Sequence, residues 1–358
     1  MKKGIILVPF MSGKGGTETV IHNLFKSISN QQKYKLEVFS IGGSDNYNWT
    51  HGLKIHIKEL SKNKKLRTLY YLTCLPFKIL NIIKKAHPDF IISTNPVMWF
   101  LSKRVVQFLH LNIPVIAWYH YSLSQKPIKS LFLYSADYYL AISSGIKKQL
   151  IQLGIPSQKI SLIFNPVVSD YHIIDRPTSE CRFIYLGRVD LDKQKNIKDL
   201  LIALSKVIGK WQLNIYGDNS NAQPVQKLVN TLNLQDKIKW NGFLNDPWNN
   251  IPKVSALVLT SNYEGLPMVL CEAISHGVYC ISSDIETGPD DIIQNGVNGH
   301  LYMPNNIKQL TKQLQWVITH HNELPNQQLI IESSKKFSLD NYGKYFTKAL
   351  DKSLKKQL

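Results

Sequence analysis

Short apolar runs rich in β-branched residues alternate with stretches of helical periodicity along the whole chain. In the first half, the runs predict strands near residues 3–9, 35–41, 89–94, 114–119, 138–142 and 160–164. In the second half, they predict strands near residues 182–187, 211–216, 238–241, 256–261 and 278–283. Parallel sheets joined by crossover helices give this pattern. We therefore predict an α/β protein with two doubly wound, Rossmann-like domains.

The alternating pattern is interrupted after Val167 and resumes with the strand predicted to begin near Arg182. The intervening stretch is polar and contains a proline, as expected of a hinge. A length of 358 residues also favours two domains over one. We predict an N-terminal domain over residues 1–168, a C-terminal domain over 169–335, and a terminal helix over 336–358 that packs back toward the N-terminal domain. Because ligands of such sheets bind at the carboxyl ends of the strands, two facing sheets would hold two substrates.

The charge balance is basic, with 43 Lys and Arg against 25 Asp and Glu and a formal net charge of +18. Such a surface attracts polyanions, which include nucleic acids, anionic lipid headgroups and phosphorylated glycans. One stretch, residues 62–85, combines basic residues with apolar positions at helical spacing and is expected to kink at Pro76. This segment is either an amphipathic helix on an anionic membrane surface or an ordinary core helix with solvated lysines.

Cysteine spacing and hydropathy exclude two further classes of protein. Four cysteines, none in a metal-binding spacing, are expected to be reduced and buried: Cys74, Cys181, Cys271 and Cys280. The apolar run near Met1 is too short for a signal peptide, and no run reaches the roughly 18 to 20 apolar residues of a transmembrane helix. We therefore expect a cytoplasmic protein.

The segment after the predicted strand at 256–261 has the composition of a phosphate-binding helix start. Gly265 allows a tight turn, and Pro267 suits the first position of a helix that we predict to end at Gly277. The free N–H groups and the dipole at such a helix start attract a diphosphate. Glu264 lies just before this helix and Glu272 inside it. The two carboxylates are therefore expected to reach different parts of one extended ligand.

A cluster of cations follows the first strand of the predicted C-terminal domain. That strand ends in Gly187 and Arg188, and Lys193 and Lys195 precede the next helix. Fixed cations of this kind stabilise the negative charge that develops when a phosphate or diphosphate group departs. Arginine grips phosphate oxygens bidentately, whereas lysine acts as a point charge. Arg188 and one of the two lysines are therefore candidate catalytic cations, with a solvated loop lysine as the alternative for either lysine.

Two features of the N-terminal half are weaker candidates. Gly15 and Gly16 follow the first predicted strand in a segment that is neither a Walker loop nor a complete G-x-G-x-x-G, but they allow close approach of the backbone to a ligand. His120 follows the strand near 114–119, where it would hydrogen-bond a ligand or serve only as a structural histidine.

The arrangement Glu264-x7-Glu272 resembles the signature of family 4 retaining glycosyltransferases with the GT-B fold, and the likeness extends over nearly the whole chain. The resemblance implies that Glu264 holds hydroxyls of the donor sugar and Glu272 the ribose of the nucleotide. It places Arg188 and Lys195 on the diphosphate, because a Lys-Asn pair opens the following helix. Lys193 is the alternate phosphate contact, since it lies at the usual spacing of five residues after the arginine.

The same resemblance assigns further residues to the nucleotide-sugar site. Gly15 and Gly16 match a paired-glycine loop that touches the donor diphosphate and the acceptor, and His120 matches a histidine that contacts the donor sugar. The remaining positions near the cleft or the nucleotide are Asn165, Gly217, Asp218, Gly265, Leu266, Pro267 and Leu270.

Retention by front-face transfer needs no enzyme base on the opposite side of the sugar, so the two glutamates are implied to bind substrate and not to act as the acid pair of a glycosidase.

Asp190-Leu191-Asp192 formally matches the metal-binding D-x-D of the other large glycosyltransferase fold. Because cations already surround it, we interpret the match as chance, and we expect no metal and no cofactor besides the sugar nucleotide as co-substrate.

Residues 15–21, 141–147, 163–167 and 287–293 further resemble the bacterial lipopolysaccharide core 1,6-galactosyltransferases. That resemblance implies a UDP-galactose donor, a lipid-linked or cell-surface glycan acceptor, and a peripheral position on the inner face of the cell membrane. The alternatives are a UDP-glucose or UDP-N-acetylglucosamine transferase of exopolysaccharide, capsule or teichoic-acid synthesis.

Three other functions compete with this interpretation. A UDP-N-acetylglucosamine 2-epimerase would need additional acid and base residues, which the sequence does not reveal. A nucleic-acid-binding protein is suggested by the charge, but the basic residues are spread along the chain and no nucleic-acid motif is present, so no specific nucleic acid is expected. A non-catalytic subunit is disfavoured because Arg188, Lys195, Glu264 and Glu272 are all retained.

Overall fold

This computed structural model describes residues 1–13, 15–29, 33–168, 172–218, 220 and 222–355. The chain divides into two compact units, one formed by Met1–Pro166 with Leu339–Leu358 and the other by Val167–Ser338. The boundaries predicted from the sequence, after residues 168 and 335, lie two and three residues away from these divisions. Residues 169–171 of the predicted hinge lie outside the described part of the chain.

The N-terminal unit contains a seven-stranded parallel sheet with the strand order β3-β2-β1-β4-β5-β6-β7. Its strands are β1 Lys2–Val8, β2 Tyr34–Gly42, β3 Ile55–Glu59, β4 Phe90–Ser93, β5 Val115–Ala117, β6 Tyr138–Ala141 and β7 Ile160–Leu162. Central strand residues such as Ile5 and Ile91 are fully buried, because helices cover both faces of a parallel sheet.

The helices of this unit are α1 Gly16–Ile28, α2 Lys64–Thr73, α3 Leu75–Ala86, α4 Pro96–Phe108, α5 Ser130–Leu133, α6 Ser144–Gln152 and, from the end of the chain, α13 Leu339–Lys355. Side-chain caps fix several helix starts. The Asn95 side chain accepts hydrogen bonds from the backbone N–H groups of Val97 and Met98 at the start of α4. α13 packs against α1, and the ring of Phe346 on α13 lies 6.3 Å from that of Trp118.

The C-terminal unit contains a six-stranded parallel sheet with the order β10-β9-β8-β11-β12-β13. Its strands are β8 Cys181–Leu186, β9 Trp211–Tyr216, β10 Ile238–Gly242, β11 Ala256–Leu259, β12 Tyr279–Ser283 and β13 Gly299–Tyr302. Its helices are α7 Ile197–Leu204, α8 Gln223–Thr231, α9 Met268–Ser275, α10 Pro289–Ile292, α11 Ile307–Thr319 and α12 Gln327–Ser334. The prediction of two doubly wound α/β domains is confirmed.

Each sheet has a point where the direction of the crossovers reverses, and ligands of open α/β sheets bind there. In the N-terminal unit, β1 lies between β2 and β4. In the C-terminal unit, β8 lies between β9 and β11. The loops that follow β1, β8 and β11 therefore border the crevices at which the sequence places its candidate residues.

Several predictions about individual elements are wrong. Strands β3 and β13 were missed, because both are edge strands whose short sequences lack a continuous apolar run. The predicted kinked helix over 62–85 is two helices, α2 and α3, since Pro76 has no N–H to continue the first helix. Cys74, which lies between them, is exposed, whereas the other three cysteines are buried as expected. Among the described helices, none is long and apolar enough to cross a membrane.

We predict that the Phe346→Ala substitution lowers the free energy of unfolding of the N-terminal unit by about 4 kcal/mol, because it empties a fully buried site on α13. Lys348→Ala on the exposed side of the same helix is the matched control and should change it by less than about 0.5 kcal/mol. Denaturant unfolding followed by tryptophan fluorescence measures both. Equal effects of the two substitutions would show that α13 does not contribute core packing.

Candidate active site

The loops after β8 and β11 are bound to one another at the crossover reversal of the C-terminal unit. Asn262, in the loop after β11, donates its backbone N–H to the carbonyl of Gln194 at 2.8 Å and its side-chain amide to the carbonyl of Lys193 at 2.6 Å. The Thr260 hydroxyl donates to the carbonyl of Lys195 at 3.0 Å. Residues 187–196 and 260–267 therefore form one continuous surface at the carboxyl ends of the strands.

The carboxylate of Asp190 shapes the first of these loops. It accepts hydrogen bonds from the backbone N–H groups of Lys195, at 3.1 Å, and Asn196, at 3.3 Å. Asn196 adopts a left-handed conformation with φ of 45° immediately before α7, which asparagine tolerates better than most residues. Asp190, the first acid of the Asp190-Leu191-Asp192 motif, therefore joins the two ends of this loop through hydrogen bonds. Over the residues the structure describes, no group of three or more His, Cys, Asp or Glu side chains is arranged to hold a metal ion.

An ion pair between Lys195 and Glu264 joins the two loops. The Lys195 Nζ lies 2.7 Å from Glu264 Oε1, and the two side chains are 15% and 11% exposed. The Ser261 hydroxyl donates to the same oxygen at 2.8 Å. Because Oε1 is held from two sides, the carboxylate has one orientation and its Oε2 faces a weaker contact, 3.5 Å from the side-chain amide nitrogen of Gln194.

Gln194 connects this ion pair to the exposed guanidinium of Arg188. Arg188 Nη2 donates to Gln194 Oε1 at 2.7 Å, while the amide nitrogen of Gln194 lies 3.2 Å from the carbonyl of Tyr263. Sequence reasoning missed this residue. Its only signal was its position between two candidate lysines, and glutamine carries no charge to mark it.

The structure distinguishes the two candidate lysines. The aliphatic part of Lys195 passes over Gly187, where an added Cβ would lie 3.4 Å from Lys195 Cε, and its ammonium reaches Glu264. The side chain of Lys193 is exposed to solvent. The placement therefore favours Lys195 as the phosphate contact, although the assignment remains a prediction.

Two glycines bring the ends of β8 and β9 together. A Cβ at Gly217 would lie 1.7 Å from the carbonyl oxygen of Gly187, so this close approach requires glycine. The backbone N–H of Gly187 donates to the carbonyl of Tyr216 at 2.9 Å, and that of Val189 to the carbonyl of Asp218 at 3.3 Å. Gly217 and Asp218 thus lie at the same sheet edge as Arg188.

The turn before α9 is held by a second turn, at Thr287 and Gly288. The Thr287 hydroxyl donates to the carbonyl of Glu264. Gly288 has a φ of 102°, and a Cβ there would lie 2.6 Å from Pro267 Cδ. Contacts with Thr287 and Gly288 therefore hold the loop from Gly265 to Pro267 in place.

The helix itself departs from its prediction at its start. It begins at Met268, and Pro267 precedes it in an extended conformation instead of occupying the first helical position. Leu270 is fully buried and Leu266 is 5% exposed, because both pack into the core of the unit, and their assignment to the nucleotide-sugar site stays a prediction. The helix ends at Ser275, before the left-handed Gly277, as predicted.

Glu272 lies on α9 and differs from Glu264 in its hydrogen-bond partner. Its Oε2 accepts a hydrogen bond from the indole Nε1 of Trp248 at 2.9 Å. Burial among the surrounding residues raises the pKa of Glu272 to about 7, while the hydrogen bond from Trp248 opposes that rise. The pKa of the Glu272 carboxyl group therefore lies near 7.

In the N-terminal unit, a buried glutamate holds the glycine loop. Glu18 is 4% exposed, and its Oε1 accepts hydrogen bonds from the backbone N–H of Gly13, at 2.7 Å, and the hydroxyl of Ser12, at 3.0 Å. Gly15 and Gly16 stand at the start of α1, where a Cβ on Gly15 would lie 2.7 Å from Glu18 Oε2. Sequence reasoning assigned no role to Glu18, although it belongs to the glycine segment. Lys14 lies outside the described residues.

His120 and Asn165 carry buried polar atoms that have no hydrogen-bond partner among the described residues. These atoms are His120 Nε2 and Asn165 Oδ1. The His120 ring packs on Trp118 with centroids 4.6 Å apart, and burial lowers the pKa of His120 to about 3, so its imidazole is neutral. His120 follows β5 at the same sheet edge as the glycine loop after β1. An unsatisfied ring nitrogen at a ligand-binding edge fits a residue that bonds a substrate.

Comparison with known proteins decides the family. Residues 14–171 match the model of Glycosyltransferase Family 4, and residues 173–337 match that of Glycosyl transferases group 1. The lipopolysaccharide 1,6-galactosyltransferase of Escherichia coli (strain K12) is 37% identical over 312 residues, 83% of this chain and 84% of the relative. The chain belongs to the family 4 glycosyltransferases.

This glycosyltransferase also resembles a Salmonella typhimurium lipopolysaccharide 1,6-galactosyltransferase, with 34% identity over 354 residues that cover 97% of this chain and 98% of the relative. Its structure matches the apo form of the lipopolysaccharide outer core galactosyltransferase WaaB with a TM-score of 0.85 and 32% identity, covering 98% of this chain and 99% of that one. The family resemblance, the GT-B fold class and the enzyme class predicted from the sequence are confirmed.

The raised pKa of Glu272 predicts a pH-dependent stability for the unliganded glycosyltransferase. A carboxyl group whose pKa is higher in the folded state binds its proton more tightly there, so stability falls as pH rises from about 4.5 to about 7 and is flat above that. Glu272→Gln should abolish a loss of about 2 kcal/mol over this range, a magnitude reduced for partial solvent access. Denaturant unfolding at several pH values measures the difference, and parallel curves for the two proteins would contradict it.

Proposed function

We propose that this glycosyltransferase transfers galactose from UDP-galactose to a lipid-linked glycan of the lipopolysaccharide-core type, with retention of the anomeric configuration. The observation that carries the proposal is the cluster of Arg188, Lys195 and Glu264 at the crossover reversal of the C-terminal sheet. The galactosyl donor and the glycan acceptor are supported by the names of the two relatives that are 37% and 34% identical.

The charges in the cluster suit the departure of a nucleoside diphosphate. As the bond between the sugar C1 and the diphosphate oxygen breaks, its electron pair passes to the diphosphate. Lys195 and the exposed guanidinium of Arg188 supply positive charge at one edge, and Arg188 is restrained by Gln194. The acceptor oxygen bonds to C1 from the same face, and the departing phosphate oxygen takes its proton, so no separate enzyme base is required.

Glu264 is suited to hold hydroxyl groups of the donor sugar. Lys195 and Ser261 occupy its Oε1, which leaves lone pairs of Oε2 to accept hydrogen bonds from sugar hydroxyls. In the proposed complex, Glu272 accepts hydrogen bonds from the ribose. Gly15, Gly16 and His120 of the N-terminal unit contact the donor and the acceptor, in line with the family resemblance. The reaction is proposed to need no metal ion, because side-chain cations neutralise the diphosphate.

We predict that purified protein releases UDP from UDP-galactose in preference to UDP-glucose and UDP-N-acetylglucosamine, and that release continues in EDTA and rises with lipopolysaccharide-core acceptor. Glu264→Gln and Lys195→Ala should each lower turnover about 100-fold, because each removes a charge from the reacting centre. Retention is read from the anomeric coupling constant of the product.

The controls separate the alternatives. Lys198→Ala, an exposed lysine on α7, should leave turnover unchanged, and Lys193→Ala should lower it less than threefold if Lys195 is the phosphate contact. Release from UDP-glucose or UDP-N-acetylglucosamine instead would assign the chain to another polysaccharide pathway. Loss of all release in EDTA would contradict metal independence, and full turnover of Glu264→Gln would contradict the proposed site. Specific binding of nucleic acid in a filter assay would support the competing function.

We further propose that the enzyme works at an anionic membrane surface on the cytoplasmic side. Helix α2 buries none of its residues, and Leu66, Leu69 and Leu72 on it are 56%, 57% and 74% exposed. The segment from Ser61 to Ala86 contains seven Lys and Arg and no acidic residue. Helix α3, in contrast, buries five residues, so the membrane interpretation of the basic segment is proposed for α2 alone and the core-helix interpretation for α3.

The position of α2 gives this surface its role. The hydroxyl of Tyr71 donates to the carbonyl of Ile41 at 2.6 Å and accepts from the backbone N–H of Phe10 at 3.2 Å. The guanidinium of Arg67 lies 4.0 Å above the ring of Phe10. Since Phe10 follows β1 and Ile41 lies near the end of β2, α2 is held at the sheet edge proposed to receive the acceptor. A membrane bound there would present its glycans to that edge.

We predict that the triple substitution Leu66→Ser, Leu69→Ser, Leu72→Ser lowers binding to vesicles with 30% phosphatidylglycerol at least tenfold, because it removes the apolar part of the surface. Phe108→Ser, which alters an equally exposed residue on α4, is the matched control. Co-sedimentation measures binding, and UDP release with a water-soluble acceptor should be unchanged. Equal binding of the triple variant, or equal binding to neutral vesicles, would contradict this surface.

A further inference from the structure

Trp248 lies in the loop between β10 and β11 and contacts the carboxylate of Glu272 directly. Its indole is 6% exposed, and its Nε1 donates a hydrogen bond of 2.9 Å to Glu272 Oε2. A tryptophan has a single polar atom, which acts only as a donor. The indole N–H of Trp248 therefore points at Glu272, the second glutamate of the Glu264-x7-Glu272 motif.

The loop around Trp248 is ordered by its own hydrogen bonds. The backbone N–H of Ile251 donates to the carbonyl of Pro247 at 2.8 Å, and the Asn250 side chain donates to the carbonyl of Asp246 at 2.7 Å. Further along, the backbone N–H of Val254 donates to the carbonyl of Asp175 at 2.9 Å. The turn that carries the indole therefore has a fixed place relative to β11.

The plane of the indole is fixed as well. It stacks on the imidazole of His276, with ring centroids 5.2 Å apart and an interplanar angle of 16°. The His276 Nδ1–H donates to the carbonyl of His172 at 2.6 Å, so that ring is itself held. Because one face of the indole lies against His276, tilting the N–H away from Glu272 would break the stacking of Trp248 on His276.

We infer that Trp248 is a positioning residue for donor binding, which holds the Glu272 carboxylate toward the ribose of the nucleotide. This inference rests on the proposed function, in which Glu272 accepts hydrogen bonds from the ribose. With Oε2 bonded to the indole, the carboxylate has one rotation about its terminal bond, and Oε1 is presented for the vicinal hydroxyls. Preorganised acceptors of this kind bind more tightly than acceptors that must be ordered on binding.

The hydrogen bond also favours the charged form of Glu272. Burial raises the pKa of this carboxyl group to about 7, and the hydrogen bond from the indole N–H opposes that rise. Without the N–H, the pKa of Glu272 would rise further. A larger share of the protein would then carry a protonated Glu272 at pH 7, with less capacity to accept from two hydroxyls.

The test compares Trp248→Phe with the wild type by calorimetric titration of UDP and of 2′,3′-dideoxy-UDP between pH 6 and pH 9. Phenylalanine preserves the stack on His276 and removes only the N–H. We expect UDP binding to weaken about tenfold at pH 7, since a hydrogen bond to a charged group is lost, and the pH at which affinity reaches its plateau to rise by about one unit. Binding of the dideoxy nucleotide, which offers no ribose hydroxyl, should be unchanged.

Trp211→Phe is the matched control. Trp211 is also buried in the C-terminal unit, at 4% exposure, but its Nε1 has no hydrogen-bond partner among the described residues. Its substitution should leave UDP affinity and its pH profile as in the wild type, because the lost N–H bonds to nothing.

Glu272→Gln separates failure of the inference from failure of the proposed function. If Glu272→Gln weakens UDP binding and Trp248→Phe does not, Trp248 is not a positioning residue, and the proposed site stands. If Trp248→Phe weakens UDP and dideoxy-UDP equally, its role is structural and the inference is overturned. If Glu272→Gln itself binds UDP as the wild type does, the proposed ribose contact is wrong, and the inference falls with it.

Discussion

The largely shielded ion pair between Lys195 and Glu264, whose side chains are 15% and 11% exposed, is the contact on which the proposed donor site depends. It joins the loop after β8 to the loop after β11, with 2.7 Å between Nζ and Oε1. Removing either partner of such a pair leaves a poorly solvated charge, so both loops would lose their arrangement together. Asp190 shapes one loop and the Thr287–Gly288 turn supports the other. The same two residues therefore hold the loops together and are proposed to bind the donor.

Two carboxylates in one crevice are given different properties by their neighbours. Glu264 faces a lysine and a hydroxyl, whereas Glu272 accepts from an indole N–H and is buried in a way that raises its pKa to about 7. The sugar and the ribose both offer hydroxyl donors, so the same residue type serves at both ends of the ligand. At the edge of the N-terminal sheet, a neutral His120 has an unsatisfied nitrogen. Each sheet therefore presents polar groups at its carboxyl edge and covers its remaining surface with helices.

Much of this organisation is predictable because it depends on local signals. Continuous apolar runs revealed the buried strands, and Gly265, Pro267 and Gly277 marked the turn and the end of α9. Strands β3 and β13 escaped prediction because edge strands need no apolar run. Gln194, Glu18 and Trp248 escaped because their roles arise from side-chain contacts that no periodicity or motif marks, such as that of Gln194 with Arg188 and that of Trp248 with Glu272. Leu270 was assigned to the donor site by its motif position, which does not give the direction of a side chain; the structure shows that this side chain is fully buried.

The central claim is that Lys195 and Glu264 act as one unit in donor binding and transfer. A double-mutant cycle on kcat/KM for UDP-galactose, with Lys195→Ala, Glu264→Gln and the double variant, tests it most directly. Residues that act as a unit give a double variant hardly slower than the slower single variant. We expect that result. Losses that multiply, so that the double variant shows the product of two independent effects, would contradict the account.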